Sequence, residues 1–296
     1  MFVPVAPMRP STPPRVRGVT SPAPASSRRA IFLDVDGTYA HHGVVPEAHA
    51  DAVRAARAAG HLVLLCTGRP VSLLPERITA AGFDGYVAGA GAYAIVGERV
   101  LLDTRFPAAL AARSLDELAA AGALFLLEGP HATHAHPATV DAMAAHLPQR
   151  GEQGAGRRDL TAAITRTEDL TGVPFGKITT FHADVPVHAI AEAIGPEVAV
   201  IPSSIPDLGP GAGEIFLAHV HKAVGVAAVV EHLGLAREQV IAFGDGLNDV
   251  EMLQYAGTGV AIEGGDDAAL AVADRTAAGP REAGLARAFA ELGLLG

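Results

Sequence analysis

The sequence predicts a doubly wound α/β fold, and three observations predict it. First, "AIFLD" (30 to 34), "HLVLLCTGR" (61 to 69) and "QVIAFGDG" (239 to 246) are short apolar runs that end abruptly in polar residues and glycine. Strands buried on both faces of a parallel sheet have that look. Second, helical patterns stand between such runs, and strands alternating with helices mean a parallel sheet flanked by helices. Third, Asp34, Thr67 and Asp245 each end their own strand. In an open parallel sheet ligands bind beyond the carboxyl ends of the strands, so three polar strand ends point to one site.

Residues 1–28 hold seven of the 21 prolines and no acidic residue, which predicts a disordered tail rather than a targeting helix. The run at 30–34 leads into the pair Asp34 and Asp36, carboxylates too costly to bury, so they belong at the edge of the sheet. "PEAHADAVRAARAAG" reads as a helix that opens with Pro46 and closes on Gly60, with Ala52, Val53, Ala56 and Ala59 on one face. The next strand ends in Thr67, Gly68 and Arg69. "NDVEMLQYAG" opens a later helix, with Asn248 as N-cap and Glu251 three residues on, the pattern of a capping box.

Composition narrows the function. The chain has 296 residues, 49% hydrophobic, enough for a sizeable core. Its net charge of -10, with no basic cluster beyond the tail, argues against nucleic acid or an anionic membrane as partner. No apolar run approaches the ~18 residues of a membrane-spanning helix. Cys66 is the only cysteine, which excludes an intrachain disulfide, predicts a small buried hydrophobe and suits a cytoplasmic location.

Four motifs carry a resemblance. "DVDGT" (34 to 38), "TGR" (67 to 69), Lys222 opening a helix and "GDGLNDVEML" (244 to 253) resemble, in order, the motifs of the haloacid dehalogenase-like (HAD) phosphatase superfamily. The arrangement is similar to its Cof-type, class IIB group, which implies a Rossmann-like core with an inserted α/β cap domain. On that reading the core is 29–106 and 219–296 and the cap 107–218. Within the cap, "PAALAARSLDELAAAG" and "VPVHAIAEAIG" read as helices, and "ALFLLEG", "KITTF" and "EVAVIP" as strands. Where the family usually has Asn-Gly-Ala after the second motif, this chain reads Ala90-Gly91-Ala92.

The resemblance implies a phosphatase that works through an aspartyl-phosphate, with Asp34 as nucleophile and Asp36 as general acid and base. A nucleophilic carboxylate and a phosphate repel each other, so the site needs positive charge, and Mg2+ suits carboxylate and phosphate oxygens. Asp34 and Asp245 are the expected side-chain ligands. The resemblance adds the backbone carbonyl of Asp36, and Asp249 in support of the metal. Gly37 permits a sharp turn that brings amides to the phosphate. Thr67 offers it a hydroxyl, and Gly68 frees the adjacent backbone. Asn248 either caps its helix or touches phosphate.

Lys222 stands out on composition, because only two of the 22 basic residues are lysines, Lys177 and Lys222. A cation at a helix start also opposes the helix dipole, and a residue that breaks two local preferences points to function. Its ammonium can bridge nucleophile and phosphate. Arg69 stays outside the catalytic set. His131, His134 and His136 read as residues of a polar cap loop, and His41 and His42 as entrance-lining or solvated. The expected partner is a small phosphorylated metabolite, a sugar phosphate by class, with the protein a monomer or weak homodimer. The alternatives are a phosphotransferase or mutase on sugar phosphates, and a non-enzymatic phospho-acceptor module. The module is disfavoured because the Asp pair follows the first strand and a long insertion follows the second.

Overall fold

A strand covered on both faces must be apolar at every position, and Ala30–Leu33 is buried throughout, with Ile31 and Leu33 in one apolar cluster and Ala30 and Phe32 in another. The computed structural model describes residues 28–146, 161–203 and 206–296. The tail expected to be disordered lies outside the described residues except for Arg28.

Strands numbered in chain order begin with β1 (Ala30–Leu33), β2 (Leu62–Cys66), β3 (Gly85–Ala88), β4 (Tyr93–Val96) and β5 (Arg99–Asp103). There follow β6 (Leu124–Glu128), β7 (Thr133–Ala135), β8 (Ile164–Arg166), β9 (Lys177–His182), β10 (Val198–Pro202) and β11 (Gly213–Leu217). The last are β12 (Val240–Gly244), β13 (Thr258–Ile262) and β14 (Arg275–Ala277). One eight-stranded sheet has the order β14-β13-β12-β1-β2-β3-β4-β5. It is parallel from β14 to β3 and ends in the antiparallel β4 and β5, an edge hairpin that the sequence reading did not include.

Helices cover both faces of this sheet; in chain order α2 is Glu76–Thr79, α4 Pro137–His146 and α8 Asp267–Val272. On one side lie α1 (Glu47–Ala58) and the C-terminal α9 (Gly284–Glu291), which bury Ala52, Val53 and Ala56 with Leu285 and Phe289. On the other lie α6 (Lys222–Leu233) and α7 (Val250–Tyr255), which bury Val226, Val229, Met252 and Leu253. Each of the Val, Leu, Met and Phe side chains among these contributes roughly 1.5–3 kcal/mol of transfer free energy, so the two layers fix the strand ends between them.

Residues 124–217 supply a second, six-stranded sheet of order β10-β11-β9-β6-β7-β8, mainly antiparallel. α3 (Ala108–Ala120) and α5 (Val187–Ile194) pack on one face, where Leu110, Leu118, Ile190 and Ile194 meet Leu127, Ile178, Ile215 and Leu217. Strand alternation turns Glu128, Lys177, Glu214 and Phe216 to the opposite face.

Two local expectations are corrected. Asn248 is not an N-cap: it lies inside a 3₁₀ turn, Leu247–Asp249, and α7 starts at Val250. The Asp249 carboxylate, not that of Asn248, turns back to accept the amides of Asp245 and Gly246 at 3.1 and 2.9 Å. The histidine stretch is not a loop throughout, since Thr133–Ala135 is strand β7. Thr133 and Ala135 are fully buried there, while the intervening His134 bonds to Thr167 at 2.9 Å.

Candidate active site

Sheet order makes the site. β12, β1 and β2 are direct neighbours, so Asp245, Asp34 and Thr67 leave three adjacent strand ends at the same edge. The Asp34 amide donates to Phe243 O at 2.9 Å, which carries the pairing one residue past β1. The chain then turns at Gly37, whose φ of +95° suits only glycine. Space demands the same residue, because a Cβ there would stand 2.2 Å from Asp245 Oδ2. Next in sequence, the Thr38 hydroxyl donates to Asp245 Oδ1 at 2.7 Å and fixes that carboxylate.

Lys222, the first residue of α6, is 1% exposed. Its Nζ donates to Asp34 Oδ1 and Asp249 Oδ1, both at 2.6 Å. Burial works against the ammonium, but Asp249 and Asp34 outweigh it and raise the lysine pKa, so Lys222 is a cation. Burial lifts the Asp34 carboxyl well above the ordinary carboxylate range; Lys222 opposes the lift, and Asp249 and Asp245 add to it. Asp245 is pushed up to about 6, chiefly by burial.

Oxygens of Asp34, Asp245 and Asp249 lie within 4.8 Å of one another. Three carboxylates against one ammonium leave two negative charges uncompensated, and a divalent cation would balance them. All the donors are hard oxygens, which fits such an ion. Both Asp249 oxygens are already engaged, by Lys222 and by two amides. Asp34 and Asp245 are therefore the side chains best able to hold a metal, with Asp249 orienting Lys222 and the Asp245 loop.

A family model for haloacid dehalogenase-like hydrolases matches residues 31–289. This chain belongs to that family. Among curated relatives of this HAD-type hydrolase, "Putative phosphatase YkrA" of Bacillus subtilis (strain 168) is 28% identical over 271 residues, covering 90% of this chain and 98% of its own. YitU of the same organism, a 5-amino-6-(5-phospho-D-ribitylamino)uracil phosphatase, is 46% identical over 78 residues, 26% of this chain and 29% of its own. Among solved structures, the HAD subclass IIB sugar phosphatase BT4131 superposes with a TM-score of 0.72 at 23% identity, covering 90% of this chain and 99% of its own. That likeness shows the fold.

Around the cluster, the other expected residues of the hydrolase divide. Thr67 is buried, and its Oγ1 accepts the Arg69 amide at 3.1 Å, leaving its O–H to donate. The Gly68 position faces the Asn248 amide, 3.5 Å from where a Cβ would stand. The Asp36 carboxylate stands apart from the cluster: Arg69 grips it with two donors at 2.6 Å each. Arg69, left out on sequence grounds, thus holds the expected acid–base group; its place two residues after Thr67 was the available signal. His131 stands edge-on to Tyr93, and His134 and His136 turn to Thr167 and Glu168, so the three do not converge. His41 meets Arg281 at 2.9 Å and lies against His42.

A second buried lysine was missed as a site residue. Lys177, on β9 and 2% exposed, reaches the other sheet's loop, donating to Gly68 O at 2.7 Å. Glu128 and Glu214 flank it at 3.0 and 2.8 Å. Burial opposes its charge, and the two carboxylates outweigh burial and raise its pKa. The scarcity of lysine that singled out Lys222 was equally a signal here.

Proposed function

We propose that this hydrolase is a Mg2+-dependent phosphatase that acts on a small phosphorylated metabolite, a sugar phosphate by class, through an aspartyl-phosphate. The observation that carries the proposal is the buried Lys222, held between Asp34 and Asp249. A lysine that deep, paired with the first carboxylate of the Asp pair, supports a site for an anion brought against an anionic nucleophile. Kinship with proteins named as phosphatases points the same way.

Asp34 presents its second oxygen to phosphorus while Lys222 spreads the charge of nucleophile and phosphate. Thr67 donates its hydroxyl to a phosphate oxygen, and the Gly37 and Gly68 backbone and the Asn248 amide line the remaining approach. Asp36 protonates the leaving alkoxide and then takes a proton from water, which requires it to swing off Arg69. A bound Mg2+, held by Asp34, Asp245 and the Asp36 carbonyl with Asp249 in support, would supply charge neutralisation to the phosphate. Residues 107–218 act as a cap over the core, 29–106 and 219–296, and select the leaving group. Glu214, held beside Gly68 by the buried Lys177, forms the polar part of that cap surface suited to sugar hydroxyls.

The test is a panel of phosphorylated metabolites offered to the purified protein with Mg2+, with and without EDTA. Asp34→Asn keeps the size of the side chain and removes the nucleophilic charge, so turnover falls by roughly 10³-fold or more with the fold intact. Near-normal turnover in that variant would sink the mechanism. Added sugar acceptors that become phosphorylated would instead favour a phosphotransferase.

A further inference from the structure

A cavity of about 370 Å³ opens beside the candidate phosphate site, within the roughly 300–1,000 Å³ of small-molecule pockets. Lys222 and Asn248 line it, so it continues from the catalytic cluster. Most of its remaining wall is apolar: Ala199, Ile201 and Phe216 from the second sheet, and Ala90, Leu247 and Val250 from the core. The register explains the upper wall. Ala199 pairs with Phe216 across β10 and β11, so Phe216, Ala199 and Ile201 share the face away from α3 and α5. Ala90 brings only a methyl group to the lower wall. Leu247 is 50% exposed, a large apolar side chain turned outward beside a catalytic loop.

Three polar side chains interrupt these walls, Asn248, Glu251 and His221, with Lys222 at the catalytic end. His221 lines the same cavity, and its buried Nδ1 has no hydrogen-bond partner among the described residues. Polyol hydroxyls set against Phe216, Ile201 and Leu247, away from those polar side chains, would lack partners, which is costly. A flat, unsaturated ring buries two apolar faces and still offers a polar edge.

We propose that the leaving group carries a planar heteroaromatic ring, and that Phe216, Ile201 and Leu247 hold its faces while His221 meets its polar edge. The inference rests on the phosphatase reading above and refines its substrate class: the sugar or short alcohol next to the phosphate ends in a ring.

The experiment uses the full chain with Mg2+ and three esters. Ribose 5-phosphate and uridine 5′-monophosphate share the reacting alcohol and differ by one ring. Pyridoxal 5′-phosphate holds its ring one carbon from the ester oxygen, so the two ring-bearing probes sample two distances. One or both should exceed ribose 5-phosphate in kcat/KM by roughly tenfold or more, the scale of pocket discrimination. Phe216→Ala should lower that ring-bearing value roughly tenfold and leave ribose 5-phosphate within about threefold. Ile201→Ser, at a half-buried position, repeats the test should Phe216→Ala not fold. Ribose 5-phosphate turned over as well as both ring-bearing esters, or variants that lower all substrates alike, would overturn the ring slot. Release of phosphate from none of the three, or from any wider panel, would overturn the phosphatase reading itself.

Discussion

Replacing Lys222 by Met keeps the buried stem and removes the charge. In the native protein one ammonium serves Asp34 and Asp249 at 2.6 Å each, and the three charged side chains are at most 9% exposed. Removing one partner of a buried ion pair costs about 3–5 kcal/mol, because the other is left buried and uncompensated. Asp245 adds a third carboxylate to the same cluster, so a loss of about 4 kcal/mol is expected. At about 2–4 °C per kcal/mol for a chain of comparable size, Tm falls by about 8–16 °C. The penalty must also depend on pH. In the native protein the Asp34 and Asp245 carboxyls already lie above the ordinary 3.8, Asp245 near 6, although Lys222 lowers both, so its removal raises them further. Such groups bind protons more readily when folded, so they weaken the fold above about pH 6 and the weakening fades as pH falls. Scanning calorimetry in EDTA should therefore give a wild-type-to-variant gap that is large at pH 8 and smaller at pH 5. Added Mg2+ should close part of it at pH 8. A Tm loss under about 3 °C, or a gap that ignores pH, would refute the placement of three charged carboxylates around one lysine.

Three further outcomes follow from the same geometry. Gly37→Ala meets both a φ of +95° and the Asp245 carboxylate; it should cost about 1–3 kcal/mol and raise the Mg2+ concentration for half-maximal activity, read by urea unfolding and metal titration. His49 is fully buried, with Nδ1 on Tyr39 O at 3.0 Å and Nε2 accepting the Leu285 amide at 3.2 Å. Burial lowers its pKa below 6.5, so its neutral form supports the fold above that pH and stability falls as pH drops further. His49→Gln does not titrate, and its Tm should decline less between pH 7.5 and 5.5 than the wild type's; equal slopes would refute this. Lys177→Met should cost about 3–5 kcal/mol because the lysine is 2% exposed between two carboxylates. Arg69→Ala should cost under about 1 kcal/mol, since the Arg69–Asp36 side chains are 34% and 48% exposed; the reverse order in urea unfolding would refute the burial argument.

The sequence by itself determined the parallel core and the residues at its strand ends. Apolar runs such as "AIFLD" stop where burial stops, and that boundary is written locally, residue by residue. Lys222 was legible for a similar reason: a rare residue type at a helix start violates preferences that composition and the helix dipole set without any partner. The tertiary structure decided which groups meet. Arg69 reaches Asp36 across 33 positions and Lys177 reaches Gly68 across 109, and no local pattern encodes pairings that sheet order and the docking of the second sheet bring about. Asn248 reads as a helix cap in sequence. Only the approach of the Asp245 and Gly246 amides turned the neighbouring Asp249 carboxylate back onto the loop. The apolar slot belongs to the same category, because its walls come from β10, β11 and the turns after β3 and β12, and alternation assigns Phe216 and Ile201 to one face only once the register is fixed.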